Sequence, residues 1–156
     1  MRIPGWLFWS LIPISMRSTS NPALGRRSRP LMRFFGAATL LMTGGRRQQT
    51  LADVGREWQR MFTERDEMPI TSIDDETIHA EIRVHCPYRG TGNVAGCYRM
   101  MEYDRRMLEK IGGEFVVLRS QAEPGVTVCQ VAIRRAGASM EDLVPAHVRT
   151  AAATGD

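Results

Sequence analysis

The side chains able to do chemistry crowd into one stretch of the chain, between Ile78 and Ile133. They are His85-Cys86-Pro87, then Cys97, then Asp104 one heptad further on, then the run Gly125-Val126-Thr127-Val128-Cys129. A thiol at a strand end, just before a proline and a glycine-containing loop, is reachable, and the N-terminus of a following helix lowers its pKa. Cys86 is therefore a candidate nucleophile. Cys97 and Cys129 read equally well as small buried hydrophobes. His85, Cys86, Cys97 and Cys129 would form a Cys₃His set if the fold converged them, but the short Cys-x₂-Cys pairs of a zinc site are missing, so neither a metal nor a cofactor is expected. No Walker loop, dinucleotide fingerprint, Gly-x-Ser-x-Gly elbow or His-Glu-x-x-His is present.

These residues need a scaffold, and the local patterns supply one. Residues 77–84 alternate, with Ile78, Ala80, Ile82 and Val84 on one face and His79, Glu81, Arg83 and His85 on the other, which predicts a half-buried strand. The loop Cys86–Gly92 follows, and Asn93 is a good cap for a helix running to Ile111, where Gly112-Gly113 ends it. On a straight helix Val94, Cys97, Met101, Asp104, Leu108 and Ile111 share one face, with Cys97 and Asp104 about 20° apart. A carboxylate on an apolar stripe needs a partner or a function. An ion pair with Arg99, Arg105 or a strand arginine, or a strand-edge hydrogen bond, is one answer; a general base or substrate anchor facing a pocket is the other. Two more strands, 114–120 and 126–134, are separated by the turn Ala122-Glu123-Pro124-Gly125.

Upstream, Leu31, Phe34, Phe35, Ala38, Leu41 and Met42 recur at helical intervals between Pro30 and Gly44-Gly45. This amphipathic helix reads as a core face or as a surface lying on a membrane. A second helix starts at Thr50, with Asp53 three residues on, buries Leu51, Val54, Trp58 and Met61 or Phe62, and ends near Thr63. The charged segment 64–69 closes on Pro69 as a surface connection. The fold class expected is α+β: two N-terminal helices followed by a β-α-β-β unit with a small antiparallel sheet. The expected organisation is an arm over 1–29 that stands apart from the fold, one domain over 30–135, and a flexible tail over 136–156 with a short helix around 140–143.

A chain of 156 residues, 43% hydrophobic and 24% charged, is long enough to bury a core without disulfides, and three cysteines fit reduced thiols in a cytoplasmic protein. Residues 1–49 carry eight arginines and no acid, whereas residues 50–156 hold all 17 acids against 13 basic residues. A basic arm of this kind meets anionic lipid or nucleic acid, or reflects a general preference for arginine, since Lys110 is the only lysine. Few aromatics lie between Arg17 and Arg29, so nucleic acid is not expected as a partner, while peripheral membrane contact through the arm and homo-oligomerisation stay open. The opening, Met1 to Ile14, is too short and too proline-interrupted for a membrane span; it reads as a signal segment, or as an extension ahead of a start at Met16.

A Cys-Pro after a strand (Cys86-Pro87), a helix with a cysteine followed by acids (Cys97, Glu102, Asp104), and a closing Gly-x-x-x-Cys (Gly125 to Cys129) resemble the L-2-amino-thiazoline-4-carboxylic acid hydrolase family. The resemblance covers roughly residues 25–133 and includes Trp58 on an upstream helix; hydrocarbon-binding modules of the vinyl-reductase type share part of it. It implies hydrolytic opening of a cyclic amidine, 2-amino-thiazoline-4-carboxylate to N-carbamoyl-cysteine. Under it Cys86 is nucleophile or ligand, Asp104 base or amidinium anchor, and His85 proton shuttle. Arg89 or Arg119 would clamp the carboxylate, and Cys97 and Cys129 would line the substrate site. The alternative is a non-catalytic small-molecule-binding or redox-sensing domain with a cysteine-lined pocket.

Overall fold

The computed structural model describes residues 13, 15–62 and 65–154. The hydrophobic opening before residue 13, and Thr63 and Glu64 of the charged connection, lie outside the described residues. Helical residues 15–20 lead through an Asn21-capped turn, Pro22–Leu24, into helix α1, Gly25–Thr43. Pro30 sits inside α1 rather than at its start, so the helix begins five residues earlier than its apolar periodicity indicates. Residues 15–29 of the arm are part of the fold. Thr19 is fully buried, and its hydroxyl and that of Ser20 bond the Tyr88 hydroxyl at 2.6 and 2.9 Å.

Helix α2, Leu51–Arg60, starts where expected: the Thr50 hydroxyl accepts from the Asp53 N–H at 3.1 Å. It buries Val54 and Trp58 completely. The sheet has four antiparallel strands in the order β1-β2-β4-β3: β1 is Ile70–Ile73, β2 Thr77–Ile82, β3 Gly113–Arg119 and β4 Cys129–Arg135. Register pairs Ile78 with Ile133, Ala80 with Val131 and Ile82 with Cys129, while Phe115 and Val117 lie opposite Ile133 and Val131. Directly paired residues share a face, so this set forms one apolar sheet surface against the helices. The architecture is α+β with one small antiparallel sheet. Strand β1 was not expected; Ile-Thr-Ser-Ile has no alternation long enough to mark it, and it pairs only as an exposed edge.

Two further expectations are corrected. The single helix over 93–111 is two, α3 (Val94–Met100) and α4 (Glu102–Ile111), because Met101 takes φ −69° and ψ 1°. The straight-helix offset between Cys97 and Asp104 therefore does not hold. The tail contains helix α5, Ala146–Thr154, in place of a short helix at 140–143 followed by fraying. It is tied down by burial of Ala146, by the His147 ring stacked on Tyr98 at 3.6 Å, and by Arg149, which donates to the Leu118 carbonyl and the Glu123 carboxylate. Helices α1 and α4 lie against each other closely: a Cβ on Gly36 would come within 2.6 Å of the Tyr103 carbonyl. Along their flank Glu102, 5% exposed, takes Arg29, Arg33 and Arg105.

Candidate functional site

Between α1, the end of β2 and the α3–α4 junction lies a cavity of about 140 Å³. Helix α1 contributes Met32 and Phe35, and Ser15 reaches it from the segment ahead. Phe62 and Met68 line it beyond α2, and Ile82, Val84, His85, Cys86 and Pro87 follow down the end of β2. The far wall is Met100, Met101, Tyr103 and Asp104, with Cys129 entering from the sheet. The lining is overwhelmingly apolar, and four of its side chains are methionines. Flexible thioethers of this kind adapt to a guest.

Asp104 is the buried carboxyl of this wall. Its Oδ1 accepts from the Trp58 indole N–H at 3.2 Å, and no other side chain bonds the carboxyl among the described residues. Burial pushes its pKa up to about 6, with the Trp58 hydrogen bond and the nearby Arg105 charge pulling the other way. Among the described residues no ion pair holds it. The partner the structure supplies is the Trp58 indole rather than an arginine, and the carboxyl also lines the cavity.

The three thiols are brought together. Each is free and buried, and each is close enough to another that ionising one raises its neighbour. Cys86 and Cys129 line the cavity, whereas Cys97, only 1% exposed, packs behind it. Burial pushes all three upward, Cys97 to about 12 and Cys129 further. Cys86 is not activated as its loop position led us to expect. Its sulfur accepts from the Tyr88 N–H at 3.4 Å, and that bond and the Arg89 charge lower its pKa by less than desolvation raises it.

His85 stands exposed at the cavity rim. The two arginines expected to clamp a carboxylate are elsewhere. Arg89 turns away to bridge loops, donating to Gln121 Oε1 and the Thr127 carbonyl at 2.8 Å each, and Arg119 is exposed on strand β3. Neither lines the cavity. Among the described residues no group of three or more His, Cys, Asp and Glu could hold a metal ion.

Gln121 is the organising residue that sequence reasoning missed. It is completely buried, its Nε2 donates to the Ile82 and Val84 carbonyls at 3.0 Å, its Oε1 accepts from the Cys86 N–H, and its own N–H meets the Cys129 sulfur at 3.3 Å. One amide thus fixes the end of β2, the Cys86 loop and Cys129 together. Its place in a polar turn reads as solvent-exposed, and nothing local signals otherwise. Trp58 was legible as a core residue, but its bond to Asp104 spans 46 positions and has no local signature. Comparison with protein-family models, with curated proteins and with solved structures yields no match.

Proposed function

We propose that the cavity is a binding site for a small, largely apolar molecule, with the Asp104 carboxyl as its polar anchor. The observation that carries this reading is the lining itself: methionine, phenylalanine and aliphatic side chains around one buried carboxyl. An apolar cavity of about 150 Å³ holds a benzene-sized guest, so a single ring or a short branched chain is the matching size. The four lining methionines are built-in reporters. In a methyl NMR spectrum, benzene or benzamidine should shift Met32, Met68, Met100 and Met101 and leave the distant Met140 in place. A folded protein whose lining methyls ignore both probes would refute the reading.

A second reading is hydrolytic, and it rests on a specific observation: His85, Cys86 and Asp104 border the same cavity. Asp104, half-ionised near pH 6, suits a general base acting on water better than a desolvated Cys86 thiol suits a nucleophile. Water would add to the amidine carbon of 2-amino-thiazoline-4-carboxylate and the ring carbon–sulfur bond would break, giving N-carbamoyl-cysteine. Mass spectrometry should then show a product heavier by one water that Asp104→Asn abolishes. No product from folded, reduced protein leaves the binding reading alone.

A further inference from the structure

The outward face of α1 is apolar and cationic at both ends. Arg27, Phe34 and Leu41 are seven residues apart, within about 20° of one line along the helix, with Leu31 and Ala38 beside them. Phe34 is 66% exposed and Leu41 85%, the largest values among the exposed apolar side chains. The opposite face holds Met32 and Leu40, both buried, so α1 is already fully docked by its other side. Arg27 lies at one end and Arg46 and Arg47 just past the other, all exposed, and Arg27 and Arg47 have no acidic partner among the described residues. The acids beside α1 are engaged: Glu102 and Glu109 by Arg29 and Arg33 along the inner flank, and Glu57, which accepts from the Arg46 backbone N–H, by Arg60.

The geometry points to this face as a peripheral docking surface for an anionic lipid bilayer, with Phe34 and Leu41 in the acyl boundary and the arginines at the headgroups. Charge chooses the occupant. A second copy pairing α1 against α1 in either direction would set cationic end against cationic end, because both ends are basic. An anionic bilayer meets every one of those charges favourably, each arginine near its surface adding to the attraction. The sequence ahead of the helix carries Trp6, Phe8 and Trp9, residue types that favour the membrane–water interface, and residues 1–49 contain no acid to oppose docking. No helix among the described residues is long and apolar enough to cross a membrane, so the contact is interfacial. Phe35, the neighbour of Phe34 in sequence, points the other way into the cavity wall. The surface and the pocket are therefore two sides of one helix.

The test is cosedimentation of the full chain with sucrose-loaded vesicles of phosphatidylcholine alone and of phosphatidylcholine mixed with phosphatidylglycerol. Binding to the mixed vesicles, weakened by salt and reduced about tenfold or more by Phe34→Ser with Leu41→Ser, is the expected result. Both side chains are exposed, so circular dichroism should show the double variant folded, and Arg27→Glu, one heptad ahead of Phe34, gives an independent readout of charge on the same face. Failure to bind the mixed vesicles would overturn the proposal. So would equal binding by the folded double variant, or a stable dimer in sedimentation velocity that the double substitution dissociates.

Discussion

Replacing Asp104 by Asn should stabilise the protein at neutral pH and leave it unchanged in acid. The carboxyl accepts a hydrogen bond from Trp58 in an apolar wall, and burial raises its pKa from 3.8 to about 6. Between those values the folded state keeps a proton that the unfolded state has already lost. Stability from this group is thus fully present below about pH 4 and is lost as pH rises through about 6, a total of about 3 kcal/mol at 1.36 kcal/mol per pH unit. Asparagine has no proton to lose, and its carbonyl still accepts from the Trp58 indole. Urea denaturation of both proteins from about pH 4 to pH 8 measures the difference directly. The other carboxylates titrate alike in the two proteins, so their contribution cancels. The expected difference is near zero at the acid end and grows to about 3 kcal/mol in favour of Asn above pH 6. A difference that does not change with pH, or a variant less stable at neutral pH, would show that Asp104 is not a desolvated carboxyl and would remove the anchor from the proposed site.

Two more outcomes follow from the same geometry. Gln121→Leu should cost about 3 kcal/mol or more in urea denaturation, because the Ile82 and Val84 carbonyls and the Cys86 N–H lose partners in a buried site; a loss within about 0.5 kcal/mol would mean water replaces the amide there. With all three thiols buried and pushed upward, native protein should react with a thiol-specific disulfide reagent at least about a thousandfold more slowly than unfolded protein. One thiol reacting as fast as free cysteine would restore Cys86 as a nucleophile candidate.

What could be read from sequence was what neighbours decide. The Thr50 cap, the α2 burial pattern and the alternation of β2 depend on residues two to four apart, and the structure keeps the cap and buries Val54, Trp58, Ile78, Ala80 and Ile82, while Leu51 and Val84 are half-buried. The break at Met101 was hidden because no glycine or proline marks it, and both Met101 and Arg105 still donate to carbonyls four residues back. Pro30 misled for the opposite reason: a strong local boundary signal is overridden by packing of α1 along α4. Helix α5 depends on the Tyr98–His147 stack and on Arg149, which are contacts made across the fold. The site divides the same way. Cys86, Asp104, His85 and Cys129 do meet at one cavity, because strand alternation and chain order carry them there, while Arg89 was misplaced because a guanidinium on a loop follows whichever acceptors the tertiary fold offers.

Ligand charge separates the two functional readings more sharply than the identity of any nucleophile. A substrate bearing a carboxylate needs a cation in the wall, and the arginines around the cavity are committed elsewhere. Arg89 bridges Gln121 and Thr127, Arg99 donates to the Thr19 carbonyl, and Arg105 lies over the Tyr98 ring and pairs with Glu102. An anionic group entering beside Asp104 would remain unpaired in an apolar enclosure, at a cost of several kcal/mol, and would push the Asp104 pKa higher still. A neutral ring meets no such penalty, and a cationic one would lower that pKa toward its ordinary value. Binding of benzamidine should therefore strengthen as pH rises through about 6, where Asp104 ionises, whereas binding of benzene should not. The same pH series run with an aromatic carboxylate should show affinity falling over that range, and an affinity that held steady would reveal a cation at the cavity other than the committed arginines, with His85 at the rim the first to replace.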